Sequence, residues 1–131
     1  MTPVFSLDPV IILIAEDEEP IAAILAAVIE DLGYRPLIAA DGRHALELAR
    51  TTWPALVITD LMMPRLTGAD LIAALHTEAT STGRTPVPVI LITAAGLQHA
   101  RSAGADAVLS KPFDLGDLEE LVIRLLTGTK Q

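Results

Sequence analysis

Five short, mostly apolar runs recur along this chain, separated by stretches whose apolar residues repeat at helical spacing; no other feature narrows the fold as much. The runs are Val10–Ala15, Leu37–Ala40, Ala55–Thr59, Val87–Ile92 and Asp106–Leu109. Runs this short are also compatible with buried helix, but their β-branched content favours strands covered on both faces. Strands alternating with helices predict an α/β domain, a parallel sheet wrapped by helices through right-handed crossovers.

The intervening segments carry helix signals. Pro20 suits a first helical turn, Ile21, Ile24, Leu25, Val28 and Leu32 follow as a stripe, and Gly33 supplies a stop. Pro36 suits a sheet edge, because proline cannot donate to a ladder. Asp41 is a candidate N-cap for a helix through Arg50, carrying Ala45, Leu46 and Leu48 inward and broken by Trp53-Pro54. Thr67-Gly-Ala-Asp70 resembles a capping box with Asp in the acidic place, opening a helix to about Glu78. Thr80–Thr85 reads as a polar connection. A fourth helix has to fit between Ala94 and Ala103, and Asp114 caps a last one with Leu118, Leu121, Val122 and Leu125 on one face.

Four of the runs end in polar residues: Glu16 and Asp17 after the first, Asp60 after the third, Thr93 after the fourth and Lys111 just past the fifth. In a parallel sheet these gather at the carboxyl edge, where open α/β sheets bind ligands. Carboxylates within about 4 Å repel by roughly 4 kcal/mol per pair at an effective dielectric near 20, so such a cluster calls for a cation. All-oxygen ligands point to Mg²⁺ or Mn²⁺. Asp60 is the candidate nucleophile for an aspartyl phosphate, with Lys111 a point charge and Thr93 a hydroxyl donor for the phosphoryl oxygens. Singly, each residue has a plainer reading. The acids Glu16 to Glu19 favour a helix N-terminus, Asp60 suits a turn, Thr93 a cap, and Lys111 a solvated surface. Their joint occurrence at strand ends is what favours phosphoryl chemistry.

The bulk properties exclude several classes. A chain of 131 residues suits one domain, expected at 10–127 between a leader at 1–9 and a tail at 128–131. It has no cysteine, hence no disulfide framework or thiolate chemistry, which fits a cytoplasmic protein. A net charge of −8 opposes nucleic-acid backbones and anionic lipid, and an aromatic content of 3% leaves no platform for stacking bases. The longest apolar stretch, Ile21–Ile29, has nine residues, short of the roughly 20 of a membrane span. His44, His76 and His99 lack ligand spacing, and Trp53 reads as local packing.

Five motifs in order, Ile14-Ala-Glu-Asp-Glu-Glu19, Val57-Ile-Thr-Asp-Leu-Met-Met-Pro64 with Gly68 after it, Ile92-Thr-Ala94, Gly104-Ala-Asp106 and Ser110-Lys-Pro-Phe113, resemble the receiver domain of two-component response regulators. The resemblance implies a flavodoxin-like (βα)5 doubly wound sheet of strand order 2-1-3-4-5. It implies that Asp60 accepts a phosphoryl group from a histidine kinase or histidine phosphotransfer protein. Glu16, Asp17, Asp60 and the backbone carbonyl of Met62 match the metal site, Thr93 and Lys111 the switch hydroxyl and lysine, and Lys111-Pro112 a cis peptide. A domain of this kind catalyses only its own phosphorylation and dephosphorylation and is not an enzyme in the usual sense. Its output is a downstream protein target, with homodimerisation through the fourth helix, last strand and last helix as one form. The alternatives are an interaction module that keeps the fold without phosphorylation, and a metal-dependent phosphatase, against which the lack of a further acid or base near Asp60 counts.

Two departures bear on output. Val108 stands where receivers commonly carry Tyr or Phe, so no aromatic flip toward Thr93 exists, and the fourth helix has room for about one turn less than usual. Met62 and Ala95, two residues after Asp60 and Thr93, cannot hydrogen-bond an attacking water, which predicts a long-lived phosphoryl state that a half-life of seconds would contradict. Ala22, Ala23, Ala26 and Ala27 form a smooth surface beside the first helix's stripe that suits a partner helix, or that reflects helix propensity alone.

Overall fold

The computed structural model describes residues 9–94 and 103–128. Its elements run β1 (Ile11–Ala15), α1 (Glu19–Asp31), β2 (Arg35–Ala39), α2 (Gly42–Thr52), β3 (Leu56–Asp60), α3 (Gly68–Thr82), β4 (Val89–Thr93), β5 (Ala107–Ser110) and α4 (Leu115–Thr127). The strands form one parallel sheet in the order β2-β1-β3-β4-β5, the flavodoxin-like arrangement. The short helix expected between Ala94 and Ala103 falls largely on 95–102, and the leader largely on 1–8, both outside the described residues.

Unbroken apolar strands follow from the two-sided cover, since alternate side chains enter different cores. Leu13, Ala15, Val57, Val89 and Leu91 pack with Ala45 and Ala49 of α2 and Leu71 and Leu75 of α3. Ile12, Ile14, Leu56, Ile58, Ile90 and Ile92 pack on the opposite face with Leu25, Val28 and Ile29 of α1 and Leu118 and Val122 of α4. Each fully buried Leu or Ile contributes about 1.5–3 kcal/mol, so the two layers hold the sheet rigid behind its polar edge.

Several local expectations hold. Asp41 caps α2 by accepting from the His44 N–H at 2.9 Å, Thr67 and Asp70 form the reciprocal capping box of α3, and Asp114 caps α4. Trp53 closes α2 in the left-handed region (φ 44°), its indole N–H donates to the Thr85 carbonyl, and the Arg84 guanidinium stacks 4.7 Å from its ring. Lys111-Pro112 is cis.

Three expectations need correction. The buried stripe of α1 is Ala22, Leu25, Val28 and Ile29, while Ile24 stays 48% exposed. Nine consecutive apolar residues satisfy helical spacing in more than one rotation, and the small Ala22 lets the helix lie close on the sheet. The strand β2 begins at Arg35 and takes in Pro36. Arg35 N–H donates to the Val10 carbonyl, so the Pro36 nitrogen turns to the open side of this edge strand. The helix α3 continues to Thr82, with the Thr77, Ser81 and Thr82 hydroxyls donating back to the Ala73 and Glu78 carbonyls, and Gly83 (φ 71°) ends it. No helix among the described residues is long and apolar enough to cross a membrane.

Candidate functional site

At the carboxyl edge, β1 delivers Glu16, β3 ends on Asp60, β4 ends on Thr93, and the chain leaving β5 turns at Lys111. The Glu16 N–H donates to the Ala39 carbonyl and the Lys111 N–H to the Thr93 carbonyl, so the ladder itself carries both residues into place. Glu16, Asp60 and Thr93 are buried, Asp17 is exposed, and Met62 is 66% exposed. One carboxylate oxygen from each of Glu16, Asp17 and Asp60 lies within 4.8 Å of the others. Four of the polar strand-end residues singled out in the sequence, Glu16, Asp17, Asp60 and Lys111, thus converge. Thr93 sits beside them at the end of β4, paired in register with Ser110.

Lys111 joins the cluster. Its ammonium donates to Asp60 Oδ2 at 3.1 Å and lies 3.5 Å from Glu16 Oε1 and 3.6 Å from Glu18 Oε2. Glu16 Oε2 accepts from the Glu18 N–H at 3.1 Å, and Asp60 Oδ1 receives the Met62 N–H at a long 3.5 Å. Burial pushes the Glu16 carboxyl above the ordinary carboxylate range, with Asp60 and Asp17 adding to it against the Glu18 amide and Lys111. Burial alone lowers the Lys111 ammonium, but the Asp60 hydrogen bond and the charges of Asp60, Glu16 and Glu18 outweigh it and hold it above its usual value.

The donor set fits a hard divalent ion. Three carboxylates face one ammonium, and buried Glu16 Oε1 has Lys111 at ion-pair distance but no hydrogen bond, so an oxygen with charge to give points into the cluster. A test follows from the sign of the Glu16 shift. The folded chain holds that proton more tightly than the unfolded chain, so metal-free stability falls as pH rises through the raised Glu16 range. Glu16→Gln is expected to add about 1 kcal/mol in urea unfolding with chelator at neutral pH, while shrinking the stabilisation that added Mg²⁺ gives. A variant no more stable than the parent would contradict this account of the site.

The sequence missed Glu18, read there only as one of four helix-start acids. No signal in the run distinguishes it, because which acid meets Lys111 depends on where β5 ends. Ala95 and His99 lie outside the described residues, while His44 and His76 are exposed.

An α/β sheet of this order, with an acid cluster and a lysine at its carboxyl edge, defines a receiver-type domain. The chain belongs to the response regulator receiver domain family, whose model matches residues 12–123. It is 35% identical over 124 residues to response regulator Rre1 of Synechocystis sp., covering 91% of this chain and 52% of that protein. It is 38% identical over 112 residues to the transcriptional regulatory protein PdtaR of Mycobacterium tuberculosis, covering 82% and 52%. The chain therefore spans about half the length of the curated relatives it matches. Among solved structures it resembles the receiver domain of Francisella response regulator 1452, with TM-score 0.79, 31% identity, and 94% and 100% of the two chains covered. It also resembles the receiver domain of a signal transduction histidine kinase from Syntrophus aciditrophicus, with TM-score 0.81, 32% identity and 92% of each chain covered.

Proposed function

We propose that Asp60 is the phosphoacceptor, taking its phosphoryl group from a histidine kinase or histidine phosphotransfer protein. The observation that carries this reading is the convergence on Asp60 of two further acids and the Lys111 ammonium. Glu16, Asp17, Asp60 and the Met62 carbonyl would hold Mg²⁺ or Mn²⁺, which supplies charge neutralisation for the transferring phosphoryl group. The Asp60 carboxylate attacks phosphorus as the bond to the donor nitrogen breaks. Lys111 follows the oxygens that acquire charge, and the Thr93 hydroxyl donates to one of them. The added charge biases the neighbouring surface of β4 and β5 toward a downstream partner. Met62 offers an exposed thioether where a polar side chain would orient water, which favours a long-lived phosphoryl state.

Beryllofluoride with Mg²⁺, an acyl-phosphate mimic, tests the reading. Amide resonances around Asp60, Thr93 and Lys111 should shift on its addition. A chain whose spectrum ignores it is an interaction module that keeps only the fold.

The phosphodonor has a place to dock. Ile21, Ile24, Pro112, Phe113 and Leu115 line, together with Lys111, an apolar groove of about 540 Å³. Of the alanine stripe, Ala22 is buried in the core, while Ala23 and Ala27 stay exposed beside the groove-lining Ile24. Ile24→Glu should slow phosphorylation by the cognate kinase about tenfold and leave labelling by a small acyl phosphate unchanged. Equal kinase rates for parent and variant would remove the groove from the docking surface.

A further inference from the structure

Glu18 is the N-cap residue of α1, yet its side chain makes no capping hydrogen bond. Its backbone is extended (φ −92°, ψ 110°) and its carboxylate reaches across to Lys111, with Oε2 3.6 Å from Nζ. Glu18's side chain is 60% exposed and that of Lys111 is 17% exposed, so this carboxylate stands on the solvent side of the ammonium, opposite the buried Asp60 and Glu16. The ammonium has three protons to give. Among the described residues Asp60 takes one in a hydrogen bond at 3.1 Å, while Glu16 and Glu18 share the ammonium at 3.5 and 3.6 Å.

We propose that Glu18 is a positioning residue for phosphoryl transfer: it holds Lys111 at the mouth of the site and competes for it with the incoming phosphoryl oxygens. This rests on the reading of Asp60 as phosphoacceptor. When an acyl phosphate reacts, an Asp60 oxygen bonds to phosphorus, the bond from phosphorus to the donor's carboxylate oxygen breaks, and the carboxylate leaves. The oxygens of the transferring group then claim Lys111, and its contact with Glu18 has to loosen. An interaction present before transfer and weakened during it raises the barrier, so Glu18 sets a brake. The exposed end of the pair limits the size of that brake to the range of solvent-screened ion pairs.

Glu18→Gln keeps the side chain's length and removes its charge, and the missing cap bond means the helix start loses no hydrogen bond. Labelling by acetyl phosphate and Mg²⁺, followed by intact mass, should run about twofold to fivefold faster in the variant than in the parent. The Lys111 side-chain NMR signal should differ between variant and parent in the unlabelled state and coincide in the beryllofluoride state, a response that a general loosening of the helix start would not produce. A labelling rate equal to or below the parent's, or an unmoved Lys111 signal, overturns the role of Glu18 while leaving Asp60 as acceptor. A parent chain that gains no label at Asp60 overturns both.

Discussion

Replacing Asp60 by alanine should leave a chain that gains no mass from acetyl phosphate and Mg²⁺, where the parent gains one PO₃ unit. The expectation is close to all-or-none because the alternatives are poorly placed. The side chain of Glu16 has no exposed surface, and Asp17 is exposed and outside hydrogen-bonding reach of Lys111, whose ammonium bonds Asp60 at 3.1 Å. Positioning and charge neutralisation supply most of the catalysis in phosphoryl transfer, so a carboxylate without that lysine falls far behind. The same substitution should not unfold the protein. Carboxylates about 4 Å apart repel by roughly 4 kcal/mol per pair at an effective dielectric near 20, and Lys111 keeps Glu16 and Glu18 as partners when Asp60 is gone. Metal-free D60A is therefore expected to be at least as stable as the parent, and to lose most of the stabilisation by Mg²⁺. An adduct that persists in this variant would place the acceptor elsewhere.

The order of elements was legible because apolar runs and helical stripes differ in period, and in a parallel α/β sheet that alternation leaves few topologies. One consequence was legible too: Glu16, Asp60 and Lys111, far apart in sequence, lie together because parallel strands end on the same edge. Rotation and length were harder to read. Residues 21–29 are apolar throughout, so the choice between Ile24 and Ala22 as the buried position is made by how near α1 can approach β1 and β2. The Ser- and Thr-rich end of α3 resembles a loop by composition, yet its hydroxyls find acceptors one turn back. The pairing of Glu18 with Lys111 joins residues 93 positions apart, and only the assembled edge decides it.

Gly68→Ala should be among the most damaging small substitutions in the described residues, alongside Gly42→Ala, whose added methyl would overlap the Leu66 backbone. A methyl group at position 68 would overlap the Asp60 carbonyl oxygen and lie 2.9 Å from Leu91 Cδ1 and 3.0 Å from Leu61 Cα. Two of the three atoms are backbone and belong to Asp60 and Leu61, so no side-chain rotation relieves their overlap. The close approach has a cause: the Gly68 N–H donates to the Leu61 carbonyl at 2.8 Å, which folds the start of α3 onto the end of β3. Helix propensity favours alanine by about 1 kcal/mol, and overpacking against fixed backbone costs about 3 kcal/mol, so the overlap wins. The net loss of about 2 kcal/mol should lower the melting temperature by about 7 °C for a chain of this size. Gly83→Ala is the contrasting case, strained by its φ of 71° but with nothing within 4 Å of the added carbon, and should cost only about 1 kcal/mol. The overlap at position 68 also moves the Asp60 peptide relative to Lys111, so the folded fraction of Gly68→Ala should label more slowly than the parent. A Gly68→Ala protein as stable as the parent would mean that α3 does not seat on β3 this closely, and the placement of Asp60 would have to be argued from something other than that contact.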